Sequence, residues 1–424
     1  MKVSVSSVSR VVGHISLDVT MRGDDVDAKL RILNDPRFIE ALVVGRRFDE
    51  VPEIVSRICG PCSVSHTLAS ITALEKAMKI EPPEDVCLLR EVLCHGVNIQ
   101  NQTVHLYFLA LPDYIGCGSL AELVKKHPEI VKTGLKLKTY GNKLVEAIGG
   151  RMVHPNACIV GGFTKTPSKE KIEATIKVLK EAKRYALETA DLFLKLDLPE
   201  LNSPNNLHLA TASERAYPFI GDMLSASDGL TFPSADYEKF IEEEPRTYTT
   251  SKYCRLKGSS FYVGSRARLN IYRKGLSESA EEYASKIEFP LKNPFENIPA
   301  KAIEILHCID ASMEILEDIK DRRLKTNTEL QISSGEGVGT LEAPRGVLIH
   351  HYQVDRQGVV RYANIITPTA LNGNHIEESL ESLVKENMKL EEDELKFNLE
   401  RLIRAYDPCL GCATHLVEIK IERV

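Results

Sequence analysis

Two short cysteine pairs, one near each end of a 424-residue chain, constrain its fold more than any other feature. Arg57-Ile-Cys-Gly-Pro-Cys62 is one C-x-x-C, and Asp407-Pro-Cys-Leu-Gly-Cys412 is the other. Two intervening residues let both thiolates of a pair turn toward one metal at a loop or helix start. If the pairs share a site, the two ends of the chain must meet, and everything between them forms one cooperative unit. A zinc ribbon keeps its pairs within about 15–20 residues of each other, and a dithiol redox motif needs one pair in a βαβ setting. Neither description fits. A four-thiolate site tolerates the long separation, and spacing alone leaves zinc, iron–sulfur and nickel as alternatives. Cys87, Cys94, Cys117, Cys158, Cys254 and Cys308 read as small buried hydrophobes.

Local context places both pairs beside helices. After Cys62 comes Ser-Val-Ser-His66, and Leu68, Ile71, Leu74 and Met78 then recur at helical spacing. The first pair therefore occupies a loop and the first turn of a helix, where the positive end of the dipole favours thiolates. His66 falls one turn after Cys62, within reach of the same site. The second pair follows a helix over roughly 390–405 that Asp407-Pro408 terminates, and His415 comes three residues after Cys412.

Composition bounds the rest. Hydrophobic residues are 43% and charged residues 27%, a balance that excludes a disordered or collagen-like chain. The net charge of −6 points to neither nucleic acid nor an anionic membrane. No apolar run reaches the ~18 residues of a membrane span. The N-terminus alternates apolar and polar residues without a signal-peptide core, so a cytoplasmic location is expected. From Arg246 to Lys274 there are eight Lys or Arg and no Asp or Glu, which reads as a solvated face or a surface for another subunit. No aromatic-interleaved platform for nucleic acid accompanies it.

The residues carry a resemblance. Arg57-Ile-Cys-Gly-Pro-Cys-Ser-Val-Ser-His66 and Asp407-Pro-Cys-Leu-Gly-Cys-Ala-Thr-His415 resemble the paired signature of nickel–iron hydrogenase large subunits. Gly149-Gly-Arg-Met-Val-His-Pro155, Tyr262-Val-Gly-Ser-Arg-Ala-Arg-Leu-Asn270, Glu342-Ala-Pro-Arg-Gly346 and Ile366-Thr-Pro-Thr-Ala-Leu-Asn372 look like four further blocks of that family, in order. The soluble, multi-subunit branch that includes methyl-viologen- and F420-linked enzymes fits best.

The resemblance implies a site. Cys59, Cys62, Cys409 and Cys412 would bind nickel, with Cys62 and Cys412 bridging to an iron that carries one carbon monoxide and two cyanides. Arg345 would hang over the open side and assist heterolytic splitting of dihydrogen, with Asp407 orienting it. Thr369 would donate to a cyanide. Glu40, which alone reads as an exposed helix carboxylate, would join His415 on a magnesium or ferrous ion. Electrons would pass to an iron–sulfur small subunit, because this chain has no ferredoxin-like cysteine run. Further electron-transfer subunits, of heterodisulfide-reductase or flavin type, are implied.

The sequence also departs from the family. Its R-x-E-G-H signature is Arg10-Val-Val-Gly-His14 here, so Val12 replaces a proton-relaying glutamate. Valine cannot titrate, which leaves His14 and His66 as candidates without an order between them. Asn101 replaces an aspartate of the membrane-bound enzymes. Residues 416–424 are a removable extension or a retained tail. The competing reading is a non-catalytic subunit related to those of respiratory complex I; it draws on Val12 alone. The expected fold is a single α+β domain over residues 1–424. It is mostly helical, with a helical-bundle core, an N-terminal β-sheet and a smaller hairpin over 347–351 and 358–366.

Overall fold

The computed structural model describes residues 2–203 and 205–414. His415 and the 416–424 segment lie outside the described residues. The fold is the expected one: α+β, mostly helical, with an N-terminal sheet.

That sheet is an antiparallel meander of Lys2–Val5, Ile15–Arg22 and Asp25–Ile32. Its alternation buries Ile15, Leu17, Val19, Val26, Ala28, Leu30 and Ile32 on one face. The exposed edge that such a strand leaves is covered by a helix, Pro368–Glu386. The Leu30 amide donates to Glu377 Oε1 at 2.8 Å and the Ala28 amide to Glu381 Oε1 at 3.3 Å.

Four long helices form the bundle. Glu84–Val104 packs on Pro128–Gly149 and on Asn297–Ile319, and Lys169–Phe193 closes the cycle against the other two. The expected helix over 119–148 is two, because Pro128 starts a new one after Leu120–Lys126. The apolar run from 376 to 405 is also two helices, Pro368–Glu386 and Glu392–Tyr406. The apolar periodicity continues across the break at Asn387 and so hides it.

The hairpin is present as Gly346–Val354 with Val360–Ile366, and it belongs to a larger four-stranded sheet with Gly335–Ala343 and Ile220–Gly221. This sheet lies on the Ser63–Met78 helix through an interface of small residues. Gly335, Gly337 and Gly339 face Ala77, Ala73 and Ala69, so period two in a strand meets period four in a helix. A Cβ on Gly337 would lie 2.2 Å from the Ala73 carbonyl oxygen. The contact fixes the helix that begins at Cys62 against the strand that leads to Arg345. Gly337→Ala should therefore destabilise the chain by about 1–3 kcal/mol, as overpacking does elsewhere, measurable as a lowered denaturant midpoint. An unchanged midpoint would contradict the tight packing.

The basic run is largely not a solvated face. Arg266 and Arg268 are fully buried. Arg266 stacks on Tyr262 at 4.2 Å, while Arg268 lies between Glu304 (2.6 Å) and Glu342. Arg246 and Arg255 pair with Glu244, one strand away, and Arg273 pairs with Glu281. The acidic Glu242-Glu-Glu244 that precedes the run supplies part of this compensation through the Ile241–Pro245 and Lys252–Leu256 strand pair.

Candidate metal centre

The two cysteine pairs meet. One sulfur from each of Cys59, Cys62, Cys409 and Cys412 lies within 4.8 Å of the others, all four residues are buried, and none is in a disulfide. Cys59 Sγ is 3.2 Å from Cys409 Sγ, which is 3.1 Å from Cys412 Sγ. Cys62 caps the Ser63–Met78 helix, as its spacing predicts. Cys409 is extended and Cys412 sits in the single turn Leu410–Ala413.

The N-terminal segment holds the second loop in place. Val12 forms a parallel bridge with Cys409, and the Leu410 amide donates to the Val12 carbonyl at 2.9 Å. Gly13 allows this, with φ at +123° and a would-be Cβ only 2.7 Å from Leu410 Cβ. Arg10, Phe38, His154 and Asp407, all non-glycine residues at positive φ, belong to segments that close around the cysteines. His154, in the Gly-Gly-Arg block, donates its amide to Ser63 Oγ at 2.9 Å and so buttresses the first pair's helix.

Arg345 faces the thiols. Its Nη1 donates to Cys62 Sγ at 3.5 Å and to Asn101 Oδ1 at 3.1 Å. Its Nη2 donates to Asp407 Oδ1, and its Nε lies by Asp407 Oδ2, both at 3.1 Å. This is the bidentate pairing expected for Arg345 and Asp407. Asp407 reaches it from a left-handed backbone (φ 55°) at the end of the Glu392–Tyr406 helix, a conformation aspartate accepts more readily than most residues. Burial alone would raise its carboxyl, but Arg345, His105 and Lys301 hold it below the usual carboxylate range. Asn101 suits its place as an amide: while its oxygen accepts from Arg345, its nitrogen donates to the Pro61 carbonyl at 2.8 Å, between the two cysteines. An ionised aspartate could not donate there.

Sequence reasoning missed Lys301. It is 1% exposed, and its Nζ donates to Asp407 Oδ2 at 2.6 Å and lies 3.3 Å from His105 Nδ1. Burial drives its pKa down to about 8, with Asp407 resisting. A lysine midway along an amphipathic helix gives no sequence signal. Its one hint is that Asn297, Lys301 and Glu304 share helical spacing with buried apolar neighbours.

Thr369, in the first turn of its helix, accepts the Cys409 amide at 2.9 Å and lines a small cavity with Cys62, His66, Arg345, Pro368, Cys409 and Cys412. The two histidine candidates separate here. His14 is exposed, whereas His66 is in the cavity wall with its Nδ1 3.1 Å from His350 Nε2, and His350 Nδ1 is 2.7 Å from the Tyr352 hydroxyl. Glu40 is not the exposed carboxylate it resembles in isolation. It is buried in the Ile39–Val43 helix, and the Arg37 amide beside it donates to the Thr414 carbonyl at 3.3 Å.

The donor set fits a soft, multivalent cation. Hydrogen bonds from neighbouring thiols, Cys409 first, hold Cys62 well below the ordinary thiol range, and Arg345 adds to this. Bonds within the same cluster push Cys59 and Cys412 up. Four sulfurs this close in a buried site cannot all ionise without a compensating charge, and soft thiolates suit nickel and iron.

The comparisons agree with this chemistry. The family model for nickel-dependent hydrogenases matches residues 37–133 and 211–415. The alpha chain of sulfhydrogenase 1 from Pyrococcus furiosus is 36% identical over 423 residues, covering 98% of each chain. An F420-non-reducing hydrogenase chain from Methanothermobacter thermautotrophicus is 31% identical, covering 99% of this chain and 96% of that one. The structure of an NAD+-reducing NiFe hydrogenase in the H2-reduced state matches with a TM-score of 0.88 at 26% identity, covering 98% and 99% of the two chains. A Ni-Fe-Se hydrogenase from D. vulgaris Hildenborough shares the fold, with a TM-score of 0.79 at 22% identity over 98% and 100%. The chain belongs to the nickel-dependent hydrogenase family, as a large subunit of the nickel–iron type. Among the described residues, no helix is long and apolar enough to cross a membrane.

Proposed function

We propose that the chain is the catalytic subunit of a soluble, cytoplasmic nickel–iron hydrogenase that splits dihydrogen heterolytically and reversibly. The observation that carries this reading is the convergence of four buried thiols with Arg345 at 3.5 Å from Cys62. That convergence also speaks against the non-catalytic alternative, which has no use for the cysteines.

Cys59, Cys62, Cys409 and Cys412 hold nickel, and Cys62 and Cys412 share their sulfurs with an iron carrying carbon monoxide and two cyanides. When bound, this group supplies the position at which dihydrogen is polarised and the redox capacity that takes its electrons. Arg345 places a fixed positive charge on the cavity side, where negative charge grows as the H–H bond breaks, at no reorganisation cost. Asp407 keeps that guanidinium aimed. Thr369, already accepting from the Cys409 amide, keeps its hydroxyl proton for a cyanide nitrogen. Glu40 and His415 hold a magnesium or ferrous ion near the C-terminal segment, an oxygen-rich role suited to such cations.

Electrons leave to an iron–sulfur small subunit, then onward to further electron-transfer subunits. Met152 and Val153, exposed in the loop beside Gly60, offer an apolar surface for that contact. The names of the relatives, sulfhydrogenase and F420-non-reducing hydrogenase, support a soluble multi-subunit assembly. A site built from both ends supports one cooperative domain. The test is reduction of methyl viologen by H2 in the anaerobically purified complex. Reduction by nickel-loaded protein is expected, and none at full nickel occupancy would contradict the reading.

A further inference from the structure

Arg37 is exposed and lies outside the thiol cavity, yet its side chain touches both cysteine loops. Its Nη1 donates to the Arg57 carbonyl at 3.0 Å, and its Nη2 donates to the carbonyls of Ile58 and, at 2.5 Å, Gly411. Ile58 and Gly411 immediately precede Cys59 and Cys412. The Arg37 amide adds a bond to the Thr414 carbonyl at 3.3 Å. One residue therefore binds the backbone of loops that are 350 positions apart in sequence, as measured between Cys59 and Cys409. The following residue, Phe38, has φ at 52°, a conformation a bulky side chain rarely adopts, and it directs the chain into the helix bearing Glu40.

We propose that Arg37 is a positioning residue that sets the distance between the two cysteine pairs, and through it the geometry in which they hold a metal. A planar fork with several donors is suited to bridging carbonyls that point from different directions, which a single ammonium cannot reproduce. Nothing in the role needs titration, because a guanidinium keeps its charge throughout. The metal consequence rests on the nickel-binding reading above, while the positioning itself does not.

The experiment separates the two. In the metal-free full chain, diamide takes two electrons and two protons from a pair of thiols, leaving a disulfide. Cys409 lies almost equally far from Cys59, across the loops, and from Cys412, within its own loop, at 3.2 and 3.1 Å. Peptide mapping then gives a ratio of cross-loop to within-loop disulfide that carries its own reference. Arg37→Gln should lower that ratio about fivefold or more, since at least one charge-assisted bond to each loop is lost. Arg37→Lys should recover part of it, and Arg47→Gln, which removes an exposed arginine paired only with Asp49 nearby, should leave it unchanged. In the nickel-loaded complex, Arg37→Gln should release nickel to a chelator at least several times faster than the parent. An unchanged disulfide ratio would overturn the positioning role. A lowered ratio with unchanged nickel release would confine Arg37 to the apo chain and overturn the metal consequence alone. A parent complex that binds no nickel would count against the nickel reading and leave the disulfide result to decide the positioning role.

Discussion

Asp407→Asn should lower H2-dependent viologen reduction by about a hundredfold or more, the scale of losing one preorganised electrostatic group, while leaving nickel content near that of the parent. The carboxylate is 2% exposed and has two cations on it, Arg345 through both oxygens and Lys301 at 2.6 Å. An amide accepts through one oxygen only, so the guanidinium loses its two-point hold and swings relative to Cys62. Breaking a buried pair usually costs about 3–5 kcal/mol, because a charge is left without compensation. Here Lys301 can relieve part of that by giving up its proton, its pKa being already lowered to about 8. Arg345 cannot. The damage should therefore fall on turnover more than on folding. Comparing turnover, nickel content and denaturant midpoint in the same preparation checks this, and parental turnover would refute the role of Asp407.

The second large effect concerns folding. Arg268→Met should unfold the chain or cost it roughly 3–5 kcal/mol, since it strands two carboxylates in the core. Arg268 and its partners Glu304 and Glu342 are all fully buried. Arg268 binds Glu304 through Nε and Nη2, both at 2.6 Å, and Glu342 through Nη1. Tyr217 donates a further 2.6 Å bond to Glu304, whose pKa falls to about 2 because Arg268 and its hydrogen bonds outweigh burial. Neutralising the carboxylates together, as Arg268→Met with Glu304→Gln and Glu342→Gln, should restore much of the soluble yield, because polar groups without charge are far less costly to bury. Equal failure of the single and triple variants would show that packing, not charge, is the issue. Glu342 is also the first residue of the block that ends in Arg345, so this core network anchors the strand that carries the site.

The centre itself was legible because its chemistry is concentrated in few residues at fixed local spacing. Two C-x-x-C pairs and the Arg345 and Asp407 blocks needed no tertiary information to be noticed, and the structure brings them together. What surrounds them was not legible. Lys301 sits among Ile298, Ala302 and Ile305 and looks like any helix lysine until Asp407 arrives from another part of the chain. Arg266 and Arg268 fall within the basic run, and periodicity cannot reveal that Glu304 and Glu342 come to them from distant elements. Asn101 looks like tolerated variation in the sequence, and only the Pro61 carbonyl shows what its amide nitrogen does. The short strands between Leu209 and Leu256 also escape notice. Strands of two to five residues give too little alternation to detect, and non-local pairing decides them. His415 lies outside the described residues, so its part in a second metal site stays a proposal.

The most direct test of the central claim is an infrared spectrum of the anaerobically purified complex carrying nickel. The account predicts bands of one metal-bound carbon monoxide and two metal-bound cyanides. Asp407→Asn should shift the cyanide bands through Arg345 without removing them. A nickel-loaded complex with no such bands, or protein with zinc or an iron–sulfur cluster on Cys59, Cys62, Cys409 and Cys412, would contradict it.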